Sequence, residues 1–543
     1  MSQARCLPLF LLAFTTISAA TQSFDIVVYG GTAGGAIAAV TAAREGMKTA
    51  LLEPTGHIGG MVSSGLGYTD YGKKEVIGGY AFEFYFRVGR HYQISQYGND
   101  VSWLHEPHVG EQVLREMLSG AGVQLFEHAR LKEKNAVRRN GARIGSIETE
   151  NAGSFAAGIF IDSTYEGDLM AQSGVTWTYG RESSAQYGES LAGVRDKTPF
   201  HQFLADIPAL DPQGHLFPEI GAQSLTAAGS ADKAVQAYNF RMCFSAGPDR
   251  IVFPKPDRYD PRRYALLPKL IEARSRAEGK VPALGTLMKI DRLPNGTTDV
   301  NNNGAFSTDY IGGSWAYPNA TYAERDAIWR AHKDYTAGLF YFLANDPQIP
   351  QALRDEMNRW GLCANEFTDS DHWPRQLYIR EDRRMVGEYV MIQKDLQTEL
   401  TKPDPIGLGS YNSDSHNVER IVDRTAAGAF VRNEGDMQVA VKPYQIPYRI
   451  LLPKRAEVTN LLVPVAFSAS HVAYSSVRME PQYMILGQAA GVAAKMAIEG
   501  NKKVQEVDPA ALTAKLRTQG VVLEYVPAPQ DRALSGARAI GVK

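Results

Sequence analysis

Residues 30–35, "GGTAGG", stand between a β-branched and aromatic run, "DIVVY" (25–29), and an Ala-rich stretch, "AIAAVTAARE" (36–45). Gly30 suits a tight turn, and Gly35 suits a helix packed closely on a strand. The amides that open such a helix favour a negative group such as a pyrophosphate. Glu53 ends the next apolar run, "KTALLE", 23 residues after Gly30. At that spacing a carboxylate bonds the ribose hydroxyls of an adenosine, and it disfavours a 2′-phosphate. The chemistry expected is therefore that of a bound dinucleotide other than NADP. Thr32 stands where the usual fingerprint has its middle glycine. Its side chain must turn away from the phosphates or donate its hydroxyl to one, with Gly31, Ala33 and Gly34 completing the turn.

The next segment, "EPTGHIGGMVSSGLGYTD" (53–70), pairs Gly59 with Gly60 in a Ser- and Gly-rich loop. With "IFIDSTYEGDLMAQSGV" (159–175) and "SHVAYSSVRMEPQYMILGQAAGVAAKMA" (470–497), the chain resembles the FAD-dependent oxidoreductase family, with its glutathione-reductase-type FAD fold. The stretches "STDYIGGSW", "LFYFLANDP", "HWPRQLYIREDRRMVGEYVM" and "GSYNSDSHNVERIV" also read like that family, whose subgroup turn resembles "GGTxAG". The resemblance implies FAD as cofactor. It implies an α/β fold: a Rossmann-like FAD-binding domain with a large inserted α+β substrate domain. Cofactor contacts are expected from Gly30, Gly31, Thr32, Ala33, Gly34, Gly35, Glu53, Pro54, Gly59, Gly60, Met61, Asp162, Thr164, Gly487 and Gln488.

The family resemblance leaves the reaction open. Alcohol oxidation needs a base beside the hydroxyl, and imidazole, with a reference pKa of about 6.5, suits that task. Of eleven histidines, three lie in family-like stretches: His372 in "DHWPRQ", His416 in "SDSHNVER" and His471 in "SASHVAYS". His416 has Asp414 and Tyr411 nearby, and His471 precedes the expected FAD helix. Each alone is more often structural; together His416 and His471 are expected to supply the base. His372, Arg380 and Tyr411 are expected at the substrate, and Arg380 or Arg478 could instead hold the flavin. His57 is expected to pack or hydrogen-bond rather than to anchor flavin covalently. The leading expectation is oxidation of a hydroxyl-bearing carbon of a carbohydrate or polyol by hydride transfer to flavin. The alternatives are redox-neutral lyase or hydrolase chemistry on glycosides, and a non-catalytic carbohydrate-binding protein that retains FAD. No second nucleotide fingerprint follows a strand, so NAD(P)H is not the expected donor and the electron acceptor stays open.

The elements that must position these groups follow from pattern. "DIVVY" reads as a buried parallel strand, the Ala-rich run as a helix closed by Gly46, and "KTALLE" as the second strand. Pro481 suits a first helical turn, and Gly487 and Gly491, four apart, make a small face for flavin or backbone. Between about residues 173 and 443 the chain becomes richer in Pro, Asn, Trp and Tyr. The expected division is a leader (1–20), the FAD domain (22–172 and 444–525), the substrate domain (173–443) and a tail (526–543).

Whole-chain properties narrow the class. With 543 residues and a formal net charge of −2, the chain has no basic footprint for nucleic acid. Arg5, the apolar "CLPLFLLAFTTI" and the small residues of "SAATQ" are ordered as in a cleaved secretory signal. A periplasmic or secreted protein without a membrane span is expected. Cys243 and Cys363 then remain, too few for an iron–sulfur cluster. Spacing does not decide whether they pair, and two buried free thiols are the expectation. No metal site is assigned.

Overall fold

The computed structural model describes residues 21–94, 100–195, 198–222 and 225–527. The expected leader and residues 528–543 of the expected tail lie outside them. Strand β1 (Gln22–Tyr29) lies in the middle of the main sheet, and its residues 26–29 are buried. It pairs in parallel with β2 (Thr49–Leu52) on one side and, beyond helices α1 (Ala33–Arg44), α2 (Gly79–His91) and α3 (Pro107–Ala121), β2 pairs in parallel with β3 (Gln124–Phe126). The short strands β4 (Val137–Asn140) and β5 (Arg143–Glu148) form an antiparallel meander leading into β6 (Ser154–Asp162), which pairs in parallel with β1. This is the doubly wound order expected for a dinucleotide fold, with the crevice at the carboxyl ends of β1 and β6.

The chain then leaves the sheet for an inserted α+β region. It contains the hairpin β7 (Met288–Arg292) and β8 (Thr298–Asn302) and the long helix α4 (Tyr322–Asn345), started by a Thr321–Glu324 capping box. Strand β9 (Pro405–Gly409) pairs antiparallel with β10 (Tyr444–Pro447), and a Cβ at Gly407 would lie 2.3 Å from Ile485. The expected border at 443/444 thus cuts a ladder whose two strands pack together. Strand β11 (Leu461–Leu462) returns to the main sheet in parallel beside Phe160 and Ile161 of β6. Helices α5 (His471–Val477) and α6 (Glu480–Glu499) follow. Among the described residues no helix is long and apolar enough to cross a membrane.

Helices α1 and α6 touch backbone to backbone. A Cβ at Gly487 would lie 2.1 Å from the Gly34 carbonyl oxygen, and one at Gly491 2.8 Å from that of Ala38. The small face of α6 is therefore filled by α1. Gly487, expected at the cofactor, packs here against the backbone of α1.

The two mature-chain cysteines form a disulfide, Cys243–Cys363, which corrects the expectation of free thiols. Antiparallel pairing of Phe244–Ser245 with Gly361–Leu362 brings them together. The bond spans 120 residues of sequence, and closing a loop of that size restricts the unfolded chain strongly. Replacing both cysteines by alanine is expected to lower stability by about 2–4 kcal/mol, read by urea denaturation of the holoprotein. Equal midpoints for variant and wild type would contradict this.

Candidate active site

The glycine turn is shaped by close approach. Gly30 has φ +96°, and a Cβ at Gly35 would lie 1.9 Å from the Gly30 carbonyl oxygen. Thr32 turns its side chain inward: Oγ1 accepts from the Gly35 amide (3.1 Å) and donates to the Ser163 carbonyl (2.8 Å). It caps α1 and does not reach for a phosphate. Of the four amides a helix start leaves without intrahelical acceptors, Thr32 takes that of Gly35, and a helix start of this kind favours an anion. Glu53 is buried, with Oε2 accepting from the Gly31 amide (2.7 Å) and Oε1 from the Thr55 amide and hydroxyl (2.7 Å each). Burial raises its pKa against these donors. A Cβ at Gly31 would sit 2.8 Å from Glu53 Oε2, so only glycine brings the turn this near the carboxylate. Pro54 follows at the half-buried edge of the same turn.

Three distant stretches meet next to this turn. The Gly59 amide donates to the Gly31 carbonyl (2.7 Å), with φ +115° at Gly59 and +55° at Gly60. The Met61 amide donates to Tyr165 Oη (3.0 Å), which donates to Glu480 Oε1 (2.6 Å) at the start of α6. Tyr165 and Glu480 escaped the sequence reading, although each adjoins a residue it singled out, Thr164 and Pro481. Burial pushes the Glu480 carboxyl up to about 8. Asp162 spends both oxygens inside the protein: Oδ1 on the Thr164 amide and hydroxyl (3.1 and 2.7 Å), Oδ2 on the Met170 amide (2.7 Å). It orders the turn that holds Thr164 against Gly30 instead of offering an oxygen outward. Gln488 is likewise engaged, accepting from the Tyr80 amide (2.8 Å) and donating to Gln519 (2.9 Å). Gln488, expected at the cofactor, here ties α6 to α2. His57 pairs with Asp369 (2.9 Å) and lies 3.4 Å from Glu111.

Opposite the start of α6, the inserted region contributes a buried polar cluster. His416 Nδ1 lies 2.7 Å from Asp309 Oδ2, and Asp309 Oδ1 lies 3.0 Å from Arg380 Nη1. Burial raises the Asp309 pKa, but Arg380 and His416 outweigh it and hold the carboxyl below the usual range. An ionised Asp309 accepts a hydrogen bond from Nδ1–H of His416, which in the neutral ring leaves the lone pair on Nε2. Burial, then Arg380, lowers the His416 pKa in spite of Asp309. Arg380 lies over the Tyr378 ring at 4.8 Å, and the Tyr378 hydroxyl accepts from Arg478 (3.1 Å) just before α6. The Tyr411 hydroxyl donates to Asp70 (3.2 Å) in the loop after β2, where the Tyr68 amide donates to Asp299, itself bidentate with Arg241 (2.7 and 2.6 Å). Asp309 thus brings His416 and Arg380 together, while Tyr411 is tied to Asp70. Asp309 and Tyr378 lay unassigned inside the quoted stretches "STDYIGGSW" and "HWPRQLYIREDRRMVGEYVM"; Arg241 and Asp299 were not singled out.

The residues fit a flavin dinucleotide. Beyond the first amides of α1 and the buried Glu53, the atoms Glu480 Oε2, Gln482 Oε1 and Arg478 Nε at the start of α6 are buried without a hydrogen-bond partner. Residues 25–516 match the family described as FAD dependent oxidoreductase. The chain belongs to that family. It is an FAD-dependent oxidoreductase of mixed α/β, Rossmann-type architecture. No curated protein matches it. Among solved structures it is similar to a geranylgeranyl bacteriochlorophyll reductase-like protein from Thermoplasma acidophilum, at 10% identity over 92% of this chain and 83% of that one, TM-score 0.35. A second is the 3-ketosteroid-delta4-(5alpha)-dehydrogenase from Rhodococcus jostii RHA1, at 14% identity over 28% of this chain and 48% of that one, TM-score 0.19. A third is the thioredoxin reductase of Lactococcus lactis, at 22% identity over 26% of this chain and 34% of that one, TM-score 0.17. The oxidoreductase therefore spans less than half of the last two.

In the oxidoreductase His471 does not share the His416 cluster. Its Nδ1 lies 2.7 Å from Glu381, its amide donates to Glu182 (2.9 Å), and Arg384 pairs with both carboxylates. Gln236 links the two groups, donating to Glu381 (3.0 Å) and accepting from the His416 amide (3.0 Å). Burial, then Arg384, pushes the His471 pKa down to about 3, too low for an effective base. His471, expected as a catalytic base, thus lies in a second buried group that Gln236 joins to His416. His372, expected at the substrate, has φ +57° and places Nδ1 3.2 Å from the Glu366 carbonyl, outside the His416 cluster. Among the described residues Glu106, His108 and Glu366 gather possible metal-ligand atoms within 4.8 Å, where Tyr92, Asn295 and His108 already satisfy the carboxylates.

His471 also has a consequence for acid stability. Its folded pKa is depressed, so its contribution is complete above the unfolded value of about 6.5 and is lost as pH falls towards 3. Between pH 7 and pH 5 this loss is on the order of 2 kcal/mol. His471→Gln is expected to shrink the stability difference between those two pH values by about that amount, read by urea unfolding. An unchanged difference would mean that His471 is charged in the folded protein.

Proposed function

We propose that this oxidoreductase oxidises a hydroxyl-bearing carbon of a carbohydrate or polyol outside the cytoplasm. The Asp309–His416 pair, with Nδ1 2.7 Å from Asp309 Oδ2 beside Arg380, is the observation that carries this reading. Bound FAD supplies the acceptor for two electrons and the carbon-bound hydrogen. His416 Nε2 takes the hydroxyl proton, and Asp309 holds the tautomer and stabilises the resulting imidazolium. Arg380 keeps Asp309 ionised. Together with Arg478 it places positive charge around Tyr378, where an alkoxide-like oxygen gains from it. The groups expected to hold FAD are the first amides of α1, Glu53, the Gly59–Met61 loop and the start of α6.

Export is supported by the order of charge, apolar run and small residues in the leader, and by the Cys243–Cys363 bond, since disulfides persist in oxidising compartments. The acceptor that re-oxidises the flavin is oxygen or another carrier. Anaerobic mixing of the yellow holoprotein with a panel of glycosides, free sugars and polyols tests the reading. Bleaching of the flavin by one of them is the expected result. Turnover to a product at the substrate's own oxidation level would mean lyase or hydrolase chemistry. Binding without bleaching would leave a carbohydrate-binding protein that retains FAD.

A further inference from the structure

A cavity of about 590 Å³ in the inserted region has His201 in its wall, and the His201 ring lies parallel to that of His416, 10° apart in plane and 6.3 Å between centroids. His201 is held there at a cost. Its φ is +47°, a left-handed conformation that is strained for a residue other than glycine. The surroundings over-determine it: its carbonyl accepts from Asn417 (3.3 Å) and Asn433 (2.8 Å), and its Nδ1 accepts from the Gly304 amide (3.1 Å). With Nδ1 accepting and burial lowering its pKa, the imidazole is neutral and carries its proton on Nε2. One ring therefore offers a donor and the other, His416, an acceptor. A substrate hydroxyl needs that combination.

The rest of the cavity differs in character. Phe200 and Leu204 in its wall are 46% and 87% exposed, and Leu270 and Ala273 add apolar surface. Large apolar side chains left open beside a cavity mark a place where an apolar group settles. Asn303 and Gln438, on the same wall, add polar atoms.

We propose that this cavity is the substrate's way to His416, that His201 donates to the hydroxyl undergoing oxidation, and that the substrate is a hydroxyl-bearing ring joined to an apolar group. The proposal rests on the reading of His416 as the base. Its substrate class is narrower than a free sugar: an aryl or long-chain alkyl glycoside, with the apolar part against Leu204 and Phe200.

The test uses the holoprotein and 4-nitrophenyl and octyl glycosides, each paired with its free parent sugar. Binding is read by calorimetry and flavin reduction by anaerobic stopped flow. The glycosides are expected to bind about tenfold tighter than the sugars, and Leu204→Asp to erase most of that preference. His201→Gly removes the ring and also relieves the backbone strain. It is expected to hold the melting temperature and FAD content while slowing reduction by roughly 10–100-fold at saturating glycoside. Equal affinity for sugars and glycosides, a preference untouched in Leu204→Asp, no binding by any probe, or full-rate reduction in His201→Gly would each overturn the proposal. Wild-type reduction rates in His416→Ala with the glycoside preference intact would instead remove the base and leave the cavity assignment standing.

Discussion

Gly35→Val is expected to yield purified protein without flavin. Even a methyl group at this position would lie 1.9 Å from the Gly30 carbonyl oxygen and 2.9 Å from the Ser163 side chain. The first of these is backbone in the tight turn itself, so no rotamer change relieves the clash. The start of α1 has to move off the sheet, taking with it the amides of Thr32, Ala33 and Gly34 and the Thr32 cap. Gly46 provides the contrast: its φ is +88°, but no atom lies within 4 Å of a Cβ there. Gly46→Asn is expected to retain full flavin, because asparagine tolerates left-handed backbone. The readout is the ratio of flavin to protein absorbance after desalting, with circular dichroism to show that the variant is folded. A folded Gly35→Val protein at wild-type stoichiometry would sink the assignment of this turn to the cofactor.

His416→Ala is expected to keep FAD and slow its reduction by substrate by roughly 10²–10⁴-fold. The pH dependence carries a sharper test. Burial and Arg380 lower the His416 pKa, so the rise of the wild-type rate with pH is expected below the imidazole reference of about 6.5. Asp309→Asn removes the anion that holds the imidazolium in place. It is expected to shift this limb to still lower pH and to reduce the plateau rate. Arg380→Gln removes a cation that opposes imidazolium, so its limb is expected to move up. Opposite displacements in these two variants, measured by anaerobic stopped flow, identify His416 as the titrating group. A limb that stays put in both would assign it to another residue. Tyr411 would be a poor choice, because its hydroxyl is committed to Asp70, whose charge raises the Tyr411 pKa well above the ordinary value.

The groups that could be read without a structure are those whose meaning is local. Gly30, Gly35 and Glu53 follow from a strand, a turn and a helix in fixed order, because residues this near in sequence can hardly be arranged otherwise. Thr32 is local too: its hydroxyl reaches the amide three residues on, which sequence allowed and geometry chose over a phosphate. His416, Arg380 and Tyr411 could be named through family-like stretches, but not their partners. Asp309 is 107 residues from His416, Tyr165 is 315 from Glu480, and Cys243 is 120 from Cys363. The partners of His471 and Gln488 were equally out of reach: Glu381, Tyr80 and Gln519 engage their polar atoms from elsewhere in the chain. The sequence by itself determined the nucleotide turn, the cofactor class and a short list of chemical groups. Only the tertiary structure decided which carboxylate stands behind each histidine, because periodicity tells which face of an element is buried and says nothing of which distant side chain covers it.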